Sequence, residues 1–346
     1  MSMMHASGAN DAPVTTFVPP TASLMRWVIV ATLPGLATMS YFFGLGVLSN
    51  VLIAATVGVA LEAAVLRLRK RPIRVTLNDA SALLTAILLG VSLPPASPWW
   101  LISVGMIAAI VVGKQLYGGL GHNPFNPAMV GYALLLVSFP TYMTLWAPPQ
   151  ELLPEGLWAQ ITGTLPTAQL DVLSGATPLD AFKHKGKAVL ASEFWATNPL
   201  PDGTLNAWRW VALAWLAGGI LLLVKRIISW HIPVAMLGSI LLLATLFYLS
   251  DPSHFASPLF HLLTGATLFG AFFIATDPVS AATSRRGKLL YGAGIGTLVI
   301  IIRTFGGYPD AVAFAVLLMN LCVPLLDLYS VPRPPGQPKS SQGEQP

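Results

Sequence analysis

Long apolar runs separated by short polar segments follow one another along most of the chain, from Leu24 to Leu328. Each run approaches the roughly 20 apolar residues that a helix needs to cross the hydrocarbon core of a bilayer. The pattern predicts an all-α polytopic membrane protein with ten transmembrane helices. The predicted spans are residues 24–43, 45–66, 77–93, 99–117, 126–145, 208–225, 232–249, 257–275, 289–305 and 309–328.

The longest polar segment divides these spans into two groups of five. This segment, the interhalf loop at 146–207, separates a first half at 24–145 from a second half at 208–328. Polar tails occupy 1–23 and 329–346. Because each half holds an odd number of spans, homologous halves would cross the membrane in opposite directions, as the inverted repeats of many transporters do.

A short sequence echo supports inverted repeats. The tripeptide Leu83–Thr85 in the predicted third span is repeated at Leu262–Thr264 in the predicted eighth span. Similarly, a Pro- and Asn-rich segment at 123–127 precedes the fifth span, and a Gly-Tyr-Pro-Asp segment at 307–310 precedes the tenth.

Lys and Arg residues are unevenly distributed between the two predicted sides of the membrane. With the N-terminus inside, 14 of the 19 lie on the inner side, including a cluster of five between Arg67 and Arg74. Cytoplasmic loops of membrane proteins are enriched in Lys and Arg. The distribution therefore predicts cytoplasmic N- and C-termini and an interhalf loop on the outer, periplasmic side.

Composition agrees with a membrane protein. Charged residues make up 10% of the chain, hydrophobic residues make up 54%, and the mean hydropathy is +0.68. Soluble domains carry about 25% charged residues, so a water-soluble fold is excluded. We expect membrane lipid around the chain and no nucleic-acid partner, despite a net charge of +5. One cysteine, Cys322, cannot supply an iron–sulfur cluster alone.

The interhalf loop contains a sequence that resembles the acceptor for covalent flavin mononucleotide (FMN). Asp171, Ser174, Gly175, Ala176 and Thr177 match the pattern Asp-x-x-[Ser/Thr]-Gly-Ala-[Ser/Thr]. In proteins with this sequence, a flavin transferase joins the FMN phosphate to the last hydroxyl. Gly175 and Ala176 allow a large enzyme to approach the backbone, and Thr177 supplies the hydroxyl nucleophile. A plain Ser-Gly turn is the alternative interpretation.

The core of this sequence recurs as Thr264–Thr267 in the predicted eighth span, with His261 in place of the aspartate. A helix inside the bilayer is out of reach of a soluble transferase, so we expect no flavin on Thr267. Small residues there favour close helix packing. Thr264 and Thr267 are also candidates for the lining of a flavin pocket or an ion path.

Two polar motifs lie at predicted inner ends of spans. Asn123 and Asn126 precede Pro127, and a proline at a helix start leaves the positive end of the helix dipole facing a ligand. Asp277 precedes Pro278 and is placed to cap a short helix that begins there. For both motifs, a structural role and a flavin pocket or ion path remain open.

Three other ionisable residues fall within or beside predicted spans. Glu62 lies inside the second span and is expected to be buried. Lys114 and Arg303 lie near span ends, where interfacial anchoring is the default expectation.

Taken together, the acceptor sequence, the Asn-Pro-Phe-Asn-Pro-Ala segment and the Ala-Thr-Asp-Pro segment resemble one family over residues 24–330. This is the RnfD/NqrB family of membrane proteins, found in the Rnf electron transport complex and in the sodium-translocating NADH:quinone oxidoreductase. In length the chain is closer to the Rnf member. The resemblance implies ten helices in two inverted five-helix repeats, similar to urea transporters. It implies covalent FMN on Thr177, and a noncovalent riboflavin between helices is a further cofactor to look for.

The resemblance also implies a role in electron transport across the bacterial inner membrane. Such complexes pass electrons between NADH and ferredoxin or quinone, and drive Na⁺ or H⁺ outward. Implied partners are other membrane subunits, a periplasmic FMN subunit, subunits that carry iron–sulfur centres and bind NADH, and the flavin transferase. The alternative is a channel or transporter for a small polar solute on a urea-transporter-like fold. The flavin-acceptor sequence favours the redox subunit.

Overall fold

The computed structural model describes residues 21–149, 156–164, 175–186, 189–197 and 200–330. Within these ranges the first half contains seven helices. They are α1 to α7, over Thr21–Phe43, Gly46–Leu68, Ile73–Leu77, Ser81–Ser92, Trp99–Met106, Pro127–Ser138 and Pro140–Thr144. Helix α5 continues directly as a π-helix over Ile107–Gln115.

The described parts of the interhalf loop contain three short helices. They are α8 to α10, over Leu157–Thr162, Pro178–Lys183 and Ala191–Ala196. Six helices of the second half follow. They are α11 to α16, over Thr204–Val224, His231–Ser250, Pro258–Leu263, Thr267–Phe269, Arg285–Phe305 and Val312–Ser330. Helix α14 continues as a π-helix over Gly270–Ile274.

Six of the described helices are long and apolar enough to cross a membrane, namely α1, α2, α11, α12, α15 and α16. They coincide with six of the ten predicted spans and confirm a multi-pass helical membrane protein. The predicted third, fourth, fifth and eighth spans contain shorter helices. That these segments also cross the membrane, and that the total is ten, stays a prediction.

The third and eighth spans are interrupted, whereas the sequence predicted continuous helices. Ala80, between α3 and α4, has φ = 60°, and Gly265, between α13 and α14, has φ = 63°. A left-handed residue cannot continue a right-handed helix, so each segment consists of two shorter helices. Each interruption falls in the third span of its half, near the start of that span for Ala80 and near the middle for Gly265.

The sequence echo does not fall at corresponding places. Leu83–Thr85 follows the first break, whereas Leu262–Thr264 precedes the second. Positions of equal sequence are therefore offset relative to the breaks.

Small residues let the long helices approach closely. A Cβ atom on Gly218 of α11 would overlap the carbonyl oxygen of Ala31 in α1, and one on Gly292 of α15 would lie 2.6 Å from the carbonyl oxygen of Ile232 in α12. Such approach is how membrane helices gain packing contacts, since lipid tails are as apolar as the side chains.

We expect Gly218→Ala to lower the free energy of unfolding of the detergent-solubilised protein by about 1–3 kcal/mol, and with it the unfolding temperature, because the added methyl group overpacks the α1–α11 contact. Gly238→Ala in α12 is the matched control, since its Cβ would meet no atom within 4 Å. Alanine is the better helix former, so the control should unfold at the same or a higher temperature. Equal loss in both variants, measured by intrinsic fluorescence during heating, would contradict the packing argument.

Candidate functional site

Thr177 is the N-cap residue of α9. Its Oγ1 accepts a hydrogen bond from the backbone N of Asp180 at 3.2 Å, and Pro178 occupies the first helical position. Both are preferred at a helix start, where the first N–H groups lack helical partners. The Thr177 side chain is half-buried and contributes to the wall of a cavity between the two halves.

An aromatic cluster and one lysine attach α9 to the membrane helices. The ring centroid of Phe182 lies 5.8 Å from that of Trp195 and 5.5 Å from that of Phe260 in α13. Lys183 Nζ donates to the carbonyl of Arg303 in α15 at 2.8 Å. Burial, and then the charge of Arg303, lower the pKa of Lys183. These contacts hold the helix that follows Thr177 against the second half.

The rest of the acceptor sequence is described in part. Gly175 N donates to the carbonyl of Trp146 at 2.7 Å and forms an isolated antiparallel bridge with it. Ala176 is exposed. Asp171 and Ser174 lie outside the described residues. The exposed backbone before Thr177 suits the close approach of an enzyme.

The loop-side cavity, which Thr177 helps to line, has a volume of about 130 Å³ and lies between the halves. Aromatic and apolar side chains from both halves form most of its wall, among them Met39, Tyr132, Trp146, Trp208, Trp215 and Phe269. Thr177 and Asp310 add a hydroxyl and a carboxylate. Aromatic walls of this kind favour packing against a planar ring system.

The repeated Thr-Gly-Ala-Thr segment forms the break between α13 and α14, where the sequence predicted a helix. Thr264 Oγ1 donates to the carbonyl of Phe260, and Thr267 Oγ1 donates to the carbonyl of His261 at 2.7 Å. Both threonine hydroxyls therefore satisfy backbone groups at the break. Gly265 contributes to the wall of the loop-side cavity.

Arg303 is buried beside this break. Its guanidinium donates to the carbonyl of His261 at 2.9 Å and to Asp310 Oδ1 at 3.3 Å. Asp310 Oδ2 in turn accepts from the backbone N of Ala266 at 3.1 Å. The expectation that Arg303 anchors the protein at the interface was wrong, because the guanidinium pairs with these internal acceptors.

A second, distal cavity of about 90 Å³ lies between the halves at the opposite ends of the helices. Thr85, Asn126, Phe273 and Asp277 help to line it. Asp277 Oδ2 accepts from Ser280 Oγ at 2.7 Å. The sequence predicted a helix after Asp277, but the structure has a turn there, which Asp277 caps.

Asn126 joins the halves at this cavity. Its Oδ1 accepts from Met129 N at 3.3 Å, which caps α6, and its Nδ2 donates to the carbonyl of Ile274 at 3.2 Å. Asn123 is also buried, and its Oδ1 has no partner among the described residues. A buried acceptor without a donor indicates a place for a polar ligand or water.

Asn320 of α16 belongs to the same network and was not predicted. With its amide oriented to suit its neighbours, it accepts from Asn126 N at 3.0 Å and donates to the carbonyl of Ser280 at 3.2 Å. The Tyr291 hydroxyl lies 2.6 Å from the same amide. An amide within an apolar span was the available signal, since such residues usually face the interior of the bundle.

Glu62 is fully buried, as the sequence predicted. Lys114 Nζ lies 2.6 Å from Glu62 Oε1 and donates to Ser81 Oγ at 2.7 Å, while Gln115 Nε2 donates to Glu62 at 2.8 Å. Interfacial anchoring was thus the wrong expectation for Lys114. It lies in the π-helix and is 1% exposed.

The structure therefore separates the predicted site residues into two groups. Thr177 lies on the loop-side cavity, close to the break that begins at Thr264 and ends where Thr267 starts α14. Asn126 and Asp277 share the distal cavity. Both cavities lie between the halves and are lined by residues of each.

Long apolar helices, interrupted spans and polar groups at their ends define a polytopic membrane protein with internal cavities between its halves. The chain belongs to the NQR2, RnfD, RnfE family, whose model matches residues 10–336.

Relatives of similar length support this membership. A protein of Alcanivorax borkumensis is 52% identical over 340 residues, which cover 96% of this chain and 98% of the relative. A protein of Vibrio vulnificus is 49% identical over 335 residues, which cover 90% and 94% respectively. The names of both relatives describe them as a subunit of an ion-translocating oxidoreductase complex.

We expect Lys114→Met to destabilise the protein by about 3–5 kcal/mol, because it leaves the Glu62 carboxylate buried without its cation. The double variant with Glu62→Gln removes both charges and should recover much of that loss. Thermal unfolding of the two variants and of the native protein in detergent measures the difference. A double variant less stable than Lys114→Met would show that the pair is not the source of the effect.

Proposed function

We propose that this chain is the membrane flavoprotein subunit of a Rnf-type, ion-translocating NADH:ferredoxin oxidoreductase. It relays electrons through FMN bound covalently to Thr177 and couples their flow to transport of Na⁺ or H⁺. The observation that carries the proposal is the position of Thr177, the acceptor residue of its motif, on an aromatic-lined cavity between the halves. The names of the relatives support the subunit role.

The two Gly-Ala-Thr sequences differ in ways that favour Thr177 alone as the acceptor. Thr177 is half-buried and follows an exposed alanine, whereas Thr267 is fully buried and donates its hydroxyl hydrogen to a carbonyl. Esterification of Thr267 would remove that hydrogen bond and require space that the packed break lacks. Burial of a polar group without its partner costs free energy.

The chain's own residues would position the flavin rather than supply redox chemistry, which belongs to the cofactor. Bound flavin supplies reversible electron transfer. The docked helix α9 fixes the attachment point, and the rings of Trp146, Trp208, Trp215 and Phe269 offer surfaces for the flavin ring and exclude water. Residues of both halves would thereby hold the cofactor.

We further propose that the distal cavity holds a noncovalent riboflavin. Asn126 and Asp277 line this cavity, and the unpaired Oδ1 of Asn123 lies in the same loop as Asn126. Neutral amides and one carboxylate match the donors and acceptors of a flavin ring and its ribityl hydroxyls. Ion transport would pass through the same interface between the halves.

The chain would lie in a bacterial inner membrane with both termini cytoplasmic and the interhalf loop in the periplasm. Its partners would be the other membrane subunits, a periplasmic FMN subunit, and subunits that carry iron–sulfur centres and bind NADH. A flavin transferase would modify Thr177 after insertion. The halves would be inverted five-helix repeats of the urea-transporter type, and the breaks at Ala80 and Gly265, each in the third span of its half, support this arrangement.

Intact-mass analysis of the chain, expressed with an active flavin transferase, tests the covalent link. FMN esterification should add roughly 440 Da that survives denaturation, because unfolding does not break a phosphoester bond. The denatured gel band should also fluoresce under ultraviolet light. We expect Thr177→Ala to abolish both signals completely.

Thr267→Ala is the matched control, since it removes the same side chain from the second Gly-Ala-Thr sequence. It should retain the full added mass. An unmodified native chain would contradict the redox proposal and favour the solute transporter, whereas added mass on Thr267 would contradict Thr177 as the attachment point.

Asn126→Ser tests the riboflavin site. Serine keeps the N-cap of α6 but lacks the amide nitrogen, which at the distal cavity donates to the carbonyl of Ile274. We expect the variant to release several-fold less riboflavin on denaturation than the native protein. Covalent FMN at Thr177 should be unchanged and shows that the variant is folded. Native yields of released riboflavin from Asn126→Ser would argue against this cavity as its site.

A further inference from the structure

Beside the Arg303–Asp310 ion pair, the wall of the loop-side cavity is formed by a residue without a side chain, Gly265. A Cβ atom on Gly265 would overlap Leu179 Cδ1 and would lie 3.1 Å from a guanidinium nitrogen of Arg303 and 3.5 Å from Asp310 Oδ2. The missing side chain therefore leaves the guanidinium directly behind the backbone of the wall. A larger residue at Gly265 would push the ion pair away.

The two charges face the cavity unequally. The Asp310 side chain is 26% exposed and lines the cavity, whereas the Arg303 side chain is 1% exposed and lies behind Gly265. Arg303 Nε has no partner among the described residues, although its two terminal nitrogens are bonded. Other charges nearby are Asp180, which lines the cavity and lies 3.0 Å from His184, and Lys183.

We propose that the Arg303–Asp310 pair sets the redox potential of a flavin attached to Thr177. The inference rests on the proposed function, because it requires FMN on that residue. Thr177 and Asp310 line one cavity of about 130 Å³, so a ring tethered to the first lies close to the second. Arg303 acts as a positioning and electrostatic residue behind the wall.

The sign of the effect follows from the charge that reduction adds. When the flavin gains one electron, the donor loses one, and the ring gains one negative charge unless a proton follows. A nearby guanidinium stabilises that charge and raises the potential, while a carboxylate destabilises it. The apolar wall strengthens both effects, because charges interact more strongly where water is excluded.

A purely structural role makes a different prediction. The pair also holds the break between α13 and α14 through His261 and Ala266. If the role of the pair were only structural, removal of either charge would loosen the same wall and shift the flavin potential in the same direction. An electrostatic role requires shifts of opposite sign for Arg303 and Asp310.

The test is a spectroelectrochemical titration of the purified full-length chain that carries its covalent flavin. The Thr177→Ala chain, titrated in parallel, supplies the background from any other flavin. Arg303→Gln should lower the midpoint potential of the flavin. At the native midpoint, the ratio of reduced to oxidised flavin should fall about tenfold, which corresponds to a shift of about 59 mV for a one-electron step. Asp310→Asn should raise the midpoint potential. Arg303→Lys keeps the positive charge, so its midpoint potential should stay close to the native value.

Asp327→Asn is the matched control. It removes a carboxylate from α16, about 22 Å along the axis from the start of that helix, whereas Asp310 lies just before the start. Its carboxylate accepts from Thr283 N and does not line the loop-side cavity. We expect no shift in the potential of the Thr177 flavin.

The outcomes separate the two proposals. A flavin present on Thr177 whose potential is unchanged in both variants, or shifts the same way in both, overturns the role of the ion pair alone. If Arg303→Gln does not fold, the sign of the Asp310→Asn shift decides. Absence of the added mass from the native chain overturns the proposed function, and the inference with it.

Discussion

Hydrocarbon offers no hydrogen-bond partner to an unpaired backbone group, so every interrupted membrane helix must find one inside the protein. At the break before α4, the Asp79 carboxylate accepts from Ser81 N at 2.7 Å, and Lys114 binds the Ser81 hydroxyl. At the break before α14, Asp310 accepts from Ala266 N. In each half a carboxylate replaces the missing helical partner, and a buried cation lies beside the break. These ionisable groups therefore stabilise the breaks in the fold, whatever further function they have.

Helix ends within the membrane also determine where internal space can exist. A continuous helix in the eighth span would place a side chain or a turn of backbone where the loop-side cavity now lies against Gly265. The distal cavity likewise opens where α6 begins at its Asn126 cap and where the π-helix of the second half ends. Both cavities are lined by residues of the two halves, so neither half could bind a cofactor there alone.

The length of the apolar runs was enough to predict the long helices, because a membrane span needs about 20 apolar residues and does not depend on any one of them. It was not enough for the breaks, since Ala80 is left-handed without being glycine. Lys114 was misplaced because nearness to a span end does not show whether a side chain reaches the lipid headgroups or, as here, a buried carboxylate. Thr177 was identifiable from its local sequence. The position of Asp310 beside Thr177 could not be identified in this way, because it depends on two residues more than 100 positions apart that line one cavity.

The bond from Lys183 to the carbonyl of Arg303 joins the interhalf loop to the last turn of α15. Carbonyls in that turn have no partner further along the helix, so a loop residue completes the end of a membrane helix. The loop and the helix are therefore coupled at this point. A change that lengthens the segment between Thr177 and Lys183 would displace the group that completes α15, even where flavin attachment itself tolerates the change.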